Sequence, residues 1–259
     1  MPWLYQLIIA AAIATGLALS QLTRGKLALT DGQRIGIGLG AFIGAMLGAK
    51  LPFALVDWQE LVSGAIWFAD GKTILTGLAG GYFGVVVAKW SLGIHARTGD
   101  SFAVPVAGSI AVGRLGCFVA GCCYGRVTSL PWGMVFPEHG PLPRHPTQLY
   151  ESAFHALAAI VLYRLDRQGL FRGNLIKLYI MAYAAFRFGT EFLREEQPLW
   201  WGLTGYQWAA LALLLLFGFL AWHDARVMRL ESTASSRPSG PHPSAPPAIA
   251  ARANELVAD

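Results

Sequence analysis

The stretch Gly113-Arg114-Leu115-Gly116-Cys117-Phe118-Val119-Ala120-Gly121-Cys122-Cys123-Tyr124-Gly125 decides how the chain is read. It sets one arginine inside an apolar run long enough to cross a bilayer, surrounds it with four glycines, and holds all three cysteines of the chain. An arginine at membrane depth costs several kcal/mol, so it faces a protein-lined cavity rather than lipid and marks a candidate functional site.

The rest of the composition agrees with a bilayer setting. Of 259 residues, 54% are hydrophobic and 14% charged, against about a quarter charged in an ordinary soluble domain. The net charge of +5 is spread over single basic residues between apolar segments. That pattern argues against a nucleic-acid surface, which needs basic residues clustered on one face. An odd number of cysteines with no CxxC pair excludes a disulfide framework and a zinc-finger spacing. The first twenty residues lack a basic leader and run straight into an apolar segment, so no cleavable signal is expected there.

Apolar runs long enough to span about 30 Å of hydrocarbon fall near residues 3–20, 35–55, 71–90, 102–123, 149–165, 175–193 and 205–223. The fold class expected is therefore an all-α integral membrane protein of seven transmembrane helices. The third and fifth runs are the most polar at their ends, with Lys72, Lys89, Glu151 and Arg164 positioned to snorkel. Basic residues concentrate in alternate connections: Arg24, Lys26 and Arg34, then Lys89 and Arg97, then Arg164, Arg167, Arg172 and Lys177, then Arg226, Arg229, Arg237 and Arg252. The positive-inside rule then puts the N-terminus outside and the C-terminus in the cytoplasm. Residues 1–225 form the membrane domain, and residues 226–259, rich in Ser, Pro and Ala, are expected to be a disordered cytoplasmic tail. Gln197-Pro198-Leu199-Trp200-Trp201 falls outside, at a boundary that tryptophan favours.

This topology gives each intramembrane charge a depth. Arg114, Lys50, Glu151, Arg187 and Glu191 come from four different helices, yet all fall in the outer half of the bilayer. Charges at one depth can line one cavity and neutralise one another. Arg187 and Glu191 are four apart and share a helix face. Two arginines with few acids nearby call for an anionic ligand, and in a bilayer that is a phospholipid phosphate, which guanidinium grips in bidentate fashion. Gly40-xxx-Gly44-xxx-Gly48 in the second run and Gly77, Gly80, Gly81 and Gly84 in the third indicate close helix packing.

After the opening stretch comes Pro143-Arg144-His145-Pro146-Thr147-Gln148-Leu149-Tyr150-Glu151. Its prolines impose an extended entry to the fifth span, which would hold Arg144, His145 and Gln148 at the outer mouth of the cavity. Three readings of the cysteines stay open. They are packing at the end of span four, a reactive thiolate at Cys122 near Arg114, or a metal site that would need outside ligands such as His145 or His139. Packing is the reading adopted, with no metal and no cofactor assigned.

Taken together, His145-Pro146-Thr147-Gln148-Leu149-Tyr150-Glu151, the Gly113-Arg114-Leu115-Gly116 core with Phe118, Gly121 and Gly125, and Ala185-Phe186-Arg187 with Glu191-Phe192 and Arg194 resemble the bacterial prolipoprotein diacylglyceryl transferases in order and spacing. The resemblance implies an enzyme of the bacterial inner membrane, active toward its outer leaflet. Such an enzyme moves the diacylglyceryl group of phosphatidylglycerol onto the cysteine thiol of a secreted lipobox precursor and releases glycerol phosphate. It implies catalytic roles for Arg114 and Arg187 on the phosphate, with Glu151, Glu191 and His145 orienting groups or exchanging protons. Arg144, Gln148, Tyr150, Gly125, Arg194, Cys117 and Cys122 would belong to the substrate-binding surface. The chain departs from the family pattern at three places. Asn is common where Cys117 stands and Glu where Cys122 stands, and the family's His-Gly-Gly aligns with Ala79-Gly80-Gly81, leaving His145 as the candidate base. A related transferase with another acceptor, or a lipid-binding or transport protein without chemistry, are the alternatives.

Overall fold

The structure is a computed structural model that describes residues 2–23, 29–56, 58–67 and 73–235. The topology markers Arg24, Lys26, Lys72, Arg237 and Arg252 lie outside the described residues. Seven long helices match the seven apolar runs: α1 (Pro2–Thr23), α2 (Asp31–Val56), α4 (Ile74–Ser91), α5 (Gly99–Val119), α6 (Thr147–Gln168), α7 (Leu175–Thr190) and α8 (Gly205–Ser235), with a short α3 (Trp58–Ser63) between α2 and α4. Five of them, α1, α2, α4, α5 and α8, are long and apolar enough to cross a membrane. Helix α6 is full length but carries Glu151, His155, Arg164, Asp166 and Arg167. Helix α7 has 16 residues, short of the usual span.

Contacts divide the chain into two compact units, Met1–Asp224 and Ala225–Asp259. In the second, residues 225–235 are helical. This corrects the expected start of a disordered tail at residue 226; residues 236–259 lie outside the described residues.

Within the first unit, α5 is the central post and packs on α1, α6 and α7. Its contact surface is made of small residues, Ala103, Ala107, Gly108 and Ala111, all buried. Spaced at three and four, they let neighbouring backbones approach. The α2–α4 pair relies on the same principle and carries it furthest. A Cβ added at Gly44 would sit 2.3 Å from the Gly80 carbonyl oxygen, and one added at Gly84 would sit 2.0 Å from that of Gly40. No residue larger than glycine fits there.

The molecule is inside-out relative to a soluble protein. Leu7, Ile13 and Leu17 of α1, Leu39, Phe42 and Leu47 of α2, and Leu157 and Ile160 of α6 are exposed, whereas Lys50, Gln148, Glu151, His155, Lys177, Arg187 and Glu191 are buried. Apolar surface outside with ionic groups inside is what a lipid solvent selects, and the chain is an integral membrane protein on this ground.

The loop between α5 and α6 contains a short antiparallel ribbon of β1 (Met134–Val135) and β2 (Pro143–Arg144), an addition to the expected all-helical class. The extended approach to α6 is found as expected, with Pro143 in the ribbon and Pro146 capping the helix. Trp200 and Trp201 are exposed on the α7–α8 connection.

Candidate active site

Helix α5 stops earlier than the apolar run predicts, at Val119 rather than residue 123. Gly121 takes φ +66°, its N–H bonds to the Phe118 carbonyl at 3.1 Å, and the Cys122 N–H bonds back to the Cys117 carbonyl at 3.1 Å. This paired closure is a Schellman end and needs glycine at the left-handed position. The turn continues through Cys123, also at positive φ (62°). Ordinary residues hold that conformation only when surroundings enforce it. Here the enforcing groups are hydrogen bonds to its carbonyl from the Thr147 hydroxyl at 2.6 Å and the Arg194 guanidinium at 3.2 Å. Gly125 closes the turn where three segments meet; a Cβ there would lie 2.4 Å from the Leu193 carbonyl oxygen and 2.8 Å from the His145 Cβ.

Into this frame α5 delivers Arg114, α6 delivers Glu151 one turn past its start, and α7 delivers Tyr183 and Arg187 one turn apart. A turn of 3-10 helix (Glu191–Leu193) then supplies Glu191, followed by Arg194. Glu151, fully buried, is the hub. Its Oε2 contacts Arg114 Nη2 and accepts from the Tyr183 hydroxyl at 3.1 Å. Its Oε1 faces Arg187 Nη1 at 3.3 Å and Arg194 Nη1 at 3.8 Å. Arg187 also pairs with Glu191 at 2.8 Å, as the four-residue spacing predicts, and the Thr204 hydroxyl donates to Glu191 at 3.0 Å. The Arg187 guanidinium lies over the Tyr206 ring, 5.0 Å from its centre.

Three guanidinium groups thus share two carboxylates and leave one positive charge uncompensated within the cluster. The Arg114 Nε, buried, has no hydrogen-bond partner among the described residues. In a low-dielectric interior such a surplus is costly unless an anion completes it, and a singly charged phosphodiester matches it in sign and size.

The remaining expected residues form a second group. His145 Nδ1 lies 3.2 Å from the Tyr150 hydroxyl, which also accepts from the Trp132 indole at 2.9 Å. Arg144 pairs with Glu195 at 2.9 Å and stacks over Tyr124. The expected position of Gln148 at the cavity mouth is corrected. It is fully buried, and its amide donates to the Cys122 carbonyl, clamping the turn. Lys50 is buried on α2.

Sequence reading missed Tyr183, Thr204 and His155. Two of them carried a signal, because Tyr183 precedes Arg187 by four and His155 follows Glu151 by four, so each shares a helix face with a charge already singled out. His155 is fully buried against the Tyr179 hydroxyl, 2.8 Å from Nδ1. Thr204 sits in a connection and had no such spacing. The sulfurs of Cys117, Cys122 and Cys123 lie within 4.8 Å of one another.

A family model described as prolipoprotein diacylglyceryl transferase matches residues 3–223. The chain is 35% identical over 230 residues to a phosphatidylglycerol–prolipoprotein diacylglyceryl transferase of Coxiella burnetii, covering 83% of this chain and 87% of the relative. Proteins of the same name from Cupriavidus necator (36%, 70% of this chain and 68% of the relative) and Nitratidesulfovibrio vulgaris (34%, with the same coverages) are also similar.

Proposed function

The chain belongs to the prolipoprotein diacylglyceryl transferase family, and from that premise we propose that it transfers the diacylglyceryl group of phosphatidylglycerol to the cysteine thiol of a lipoprotein precursor. The acceptor sulfur attacks the glyceryl methylene carbon bonded to the phosphate oxygen. A carbon–sulfur bond forms, the carbon–oxygen bond breaks with its electron pair going to oxygen, and glycerol phosphate leaves. The single observation that carries this reading is the surplus positive charge around Glu151.

Arg114, Arg187 and Arg194 act on the phosphate. It holds one negative charge in the lipid and gains a second as the bond to carbon breaks, so guanidinium groups fixed in advance stabilise the transition state more than the ground state. Both oxygens of Glu151 are already committed, which suits it to holding the arginines in register rather than to proton transfer. Glu191, with its oxygens on Arg187 and Thr204, likewise orients, and His145 is the group that exchanges protons, the thiol proton passing to it or to water. Ala79, buried in an apolar cluster, offers no base at the position where the family carries histidine.

The same reading sets seven spans, α1, α2, α4, α5, α6, α7 and α8, with the N-terminus outside and the C-terminus in the cytoplasm. The arginine cluster then faces the outer leaflet of a bacterial inner membrane, where precursors emerge. A lipid-binding or transport role without chemistry is disfavoured by the names of the relatives.

The test uses purified protein, phosphatidylglycerol labelled in its acyl chains and a lipobox peptide. A thioether-linked diacylglyceryl peptide with an equal yield of glycerol phosphate is expected. Lipid consumed without peptide modification would point to another acceptor, and no turnover with retained lipid binding would sink the transfer reading.

A further inference from the structure

No bond made or broken in diacylglyceryl transfer as set out above involves the sulfurs of Cys117, Cys122 and Cys123, yet the fold gathers them closely. Cys117 lies on the last turn of α5, and the Schellman closure at Gly121 folds the chain back so that Cys122 and Cys123 return beside it. Cys123 sits at positive φ with Thr147 and Arg194 bound to its carbonyl, and Gln148 commits its amide to the Cys122 carbonyl. Three side chains from two other elements therefore fix the placement of two cysteines. All three are free thiols, with sulfurs no more than 4.8 Å apart.

We propose that Cys117, Cys122 and Cys123 form a three-thiolate site for a thiophilic closed-shell cation of the copper(I) or zinc(II) class. With metal–sulfur bonds of about 2.3 Å, three sulfurs on one cation stand about 4 Å apart, so the cluster needs to contract by less than about 1 Å, which side-chain rotation supplies. Soft thiolates select these metals over magnesium or calcium. Binding releases the thiol protons, and three thiolates with a divalent cation keep one net negative charge. The surroundings answer that charge: Arg114 Nη1 lies 3.8 Å from the Cys117 sulfur, and Arg194 is hydrogen-bonded to the Cys123 backbone.

Access is through an open cleft of about 320 Å³ lined by Cys122, Cys123, His139, Arg194, Glu195 and Glu196. The two carboxylates and the imidazole give an incoming cation intermediate ligands, and the cleft leaves a fourth coordination position open to exchange. Because Arg114 and Arg194 also meet Glu151, a filled site draws those cations toward sulfur and lowers their hold on a phosphate. The structure thus predicts that the metal inhibits any reaction the arginine cluster performs.

The experiment titrates reduced, desalted full-length protein in detergent with cadmium(II), read as thiolate-to-cadmium charge-transfer absorption. A band saturating at one equivalent is expected, displaced by stoichiometric copper(I) or by a large excess of zinc(II) in separate arms, and weakened at least tenfold in each of Cys117→Ser, Cys122→Ser and Cys123→Ser. A protein that melts cooperatively but shows no band at one equivalent overturns the proposal. So does a band unchanged in the triple serine variant, or one unchanged in Cys117→Ser alone, which would reduce the site to two adjacent thiols. The band is read without lipid or peptide, so loss of transferase turnover and loss of this site are separate results.

Discussion

Two ionic groups at opposite ends of α5 differ in burial and in which sign of charge predominates. Toward the N-terminal end of α5, Lys177 bonds Asp224 and the Asn174 side chain (2.8 Å), while Asp100 receives the N–H groups of Gly173 and Leu175 at the start of α7. Lys177 meets Asp224, and the second carboxylate is answered by backbone N–H groups at a helix N-terminus. At the other end of the same helix, Arg114, Arg187 and Arg194 crowd Glu151, and among the described residues Glu191 is the one further carboxylate paired with them. The second group is also the more deeply buried, with Glu151 and Arg187 only 1% and 7% exposed against 40% for Asp224. An unmatched charge is most costly there, and the cluster by itself does not complete it.

The sharpest way to break this contrast is to remove the hub at one end and the cation at the other. Glu151→Gln leaves three guanidinium groups against one carboxylate; transfer activity should fall by roughly a thousandfold, and stability by about 3–5 kcal/mol as for a broken buried pair. Lys177→Met should lower the melting temperature while leaving activity per folded molecule within about threefold. Equal activity losses in the two variants would mean that both groups are merely structural. Next in size, Arg187→Lys keeps the charge but loses the planar fork shared between Glu151 and Glu191; a drop of about a hundredfold in turnover, with little change in thermal melting, is expected.

A smaller effect tests the frame rather than the charges. Gly125→Ala forces a methyl group against the Leu193 carbonyl and the His145 Cβ; overpacking of this kind costs about 1–3 kcal/mol, and turnover should fall with it through displacement of Arg194. The mildest change is Tyr150→Phe, which removes the hydroxyl shared by His145 and Trp132. Its loss should cost about 1 kcal/mol or less of stability and shift the pH profile of turnover if His145 takes the thiol proton. An unchanged profile would remove His145 from that role.

Much of the site is legible in the amino-acid sequence. Arg114, Glu151, Arg187 and Glu191 can be placed together because apolar periodicity sets helix position, and helix rise turns sequence position into depth. The glycine faces of α2 and α4 are equally legible, since only close backbone approach explains glycine at every fourth position. Less accessible is anything that depends on how a chain leaves its helix. The early end of α5 and the burial of Gln148 follow from hydrogen bonds between residues far apart in sequence. Thr204 reaches Glu191 across a connection whose path no periodicity describes. The helix from Gly205 runs past the expected tail boundary, because Ala, Arg and Leu there sustain a helix that a compositional reading treats as linker.

By itself the sequence determined that this is a helical membrane protein whose arginines fall at matching positions along their apolar segments, because solvent, hydropathy and helix rise are properties of the linear chain. Only the tertiary structure decided that three arginines converge on one carboxylate and that three cysteines converge on one another. Charge surplus and thiol proximity are sums over residues from different elements, and those sums exist only once the helices have packed.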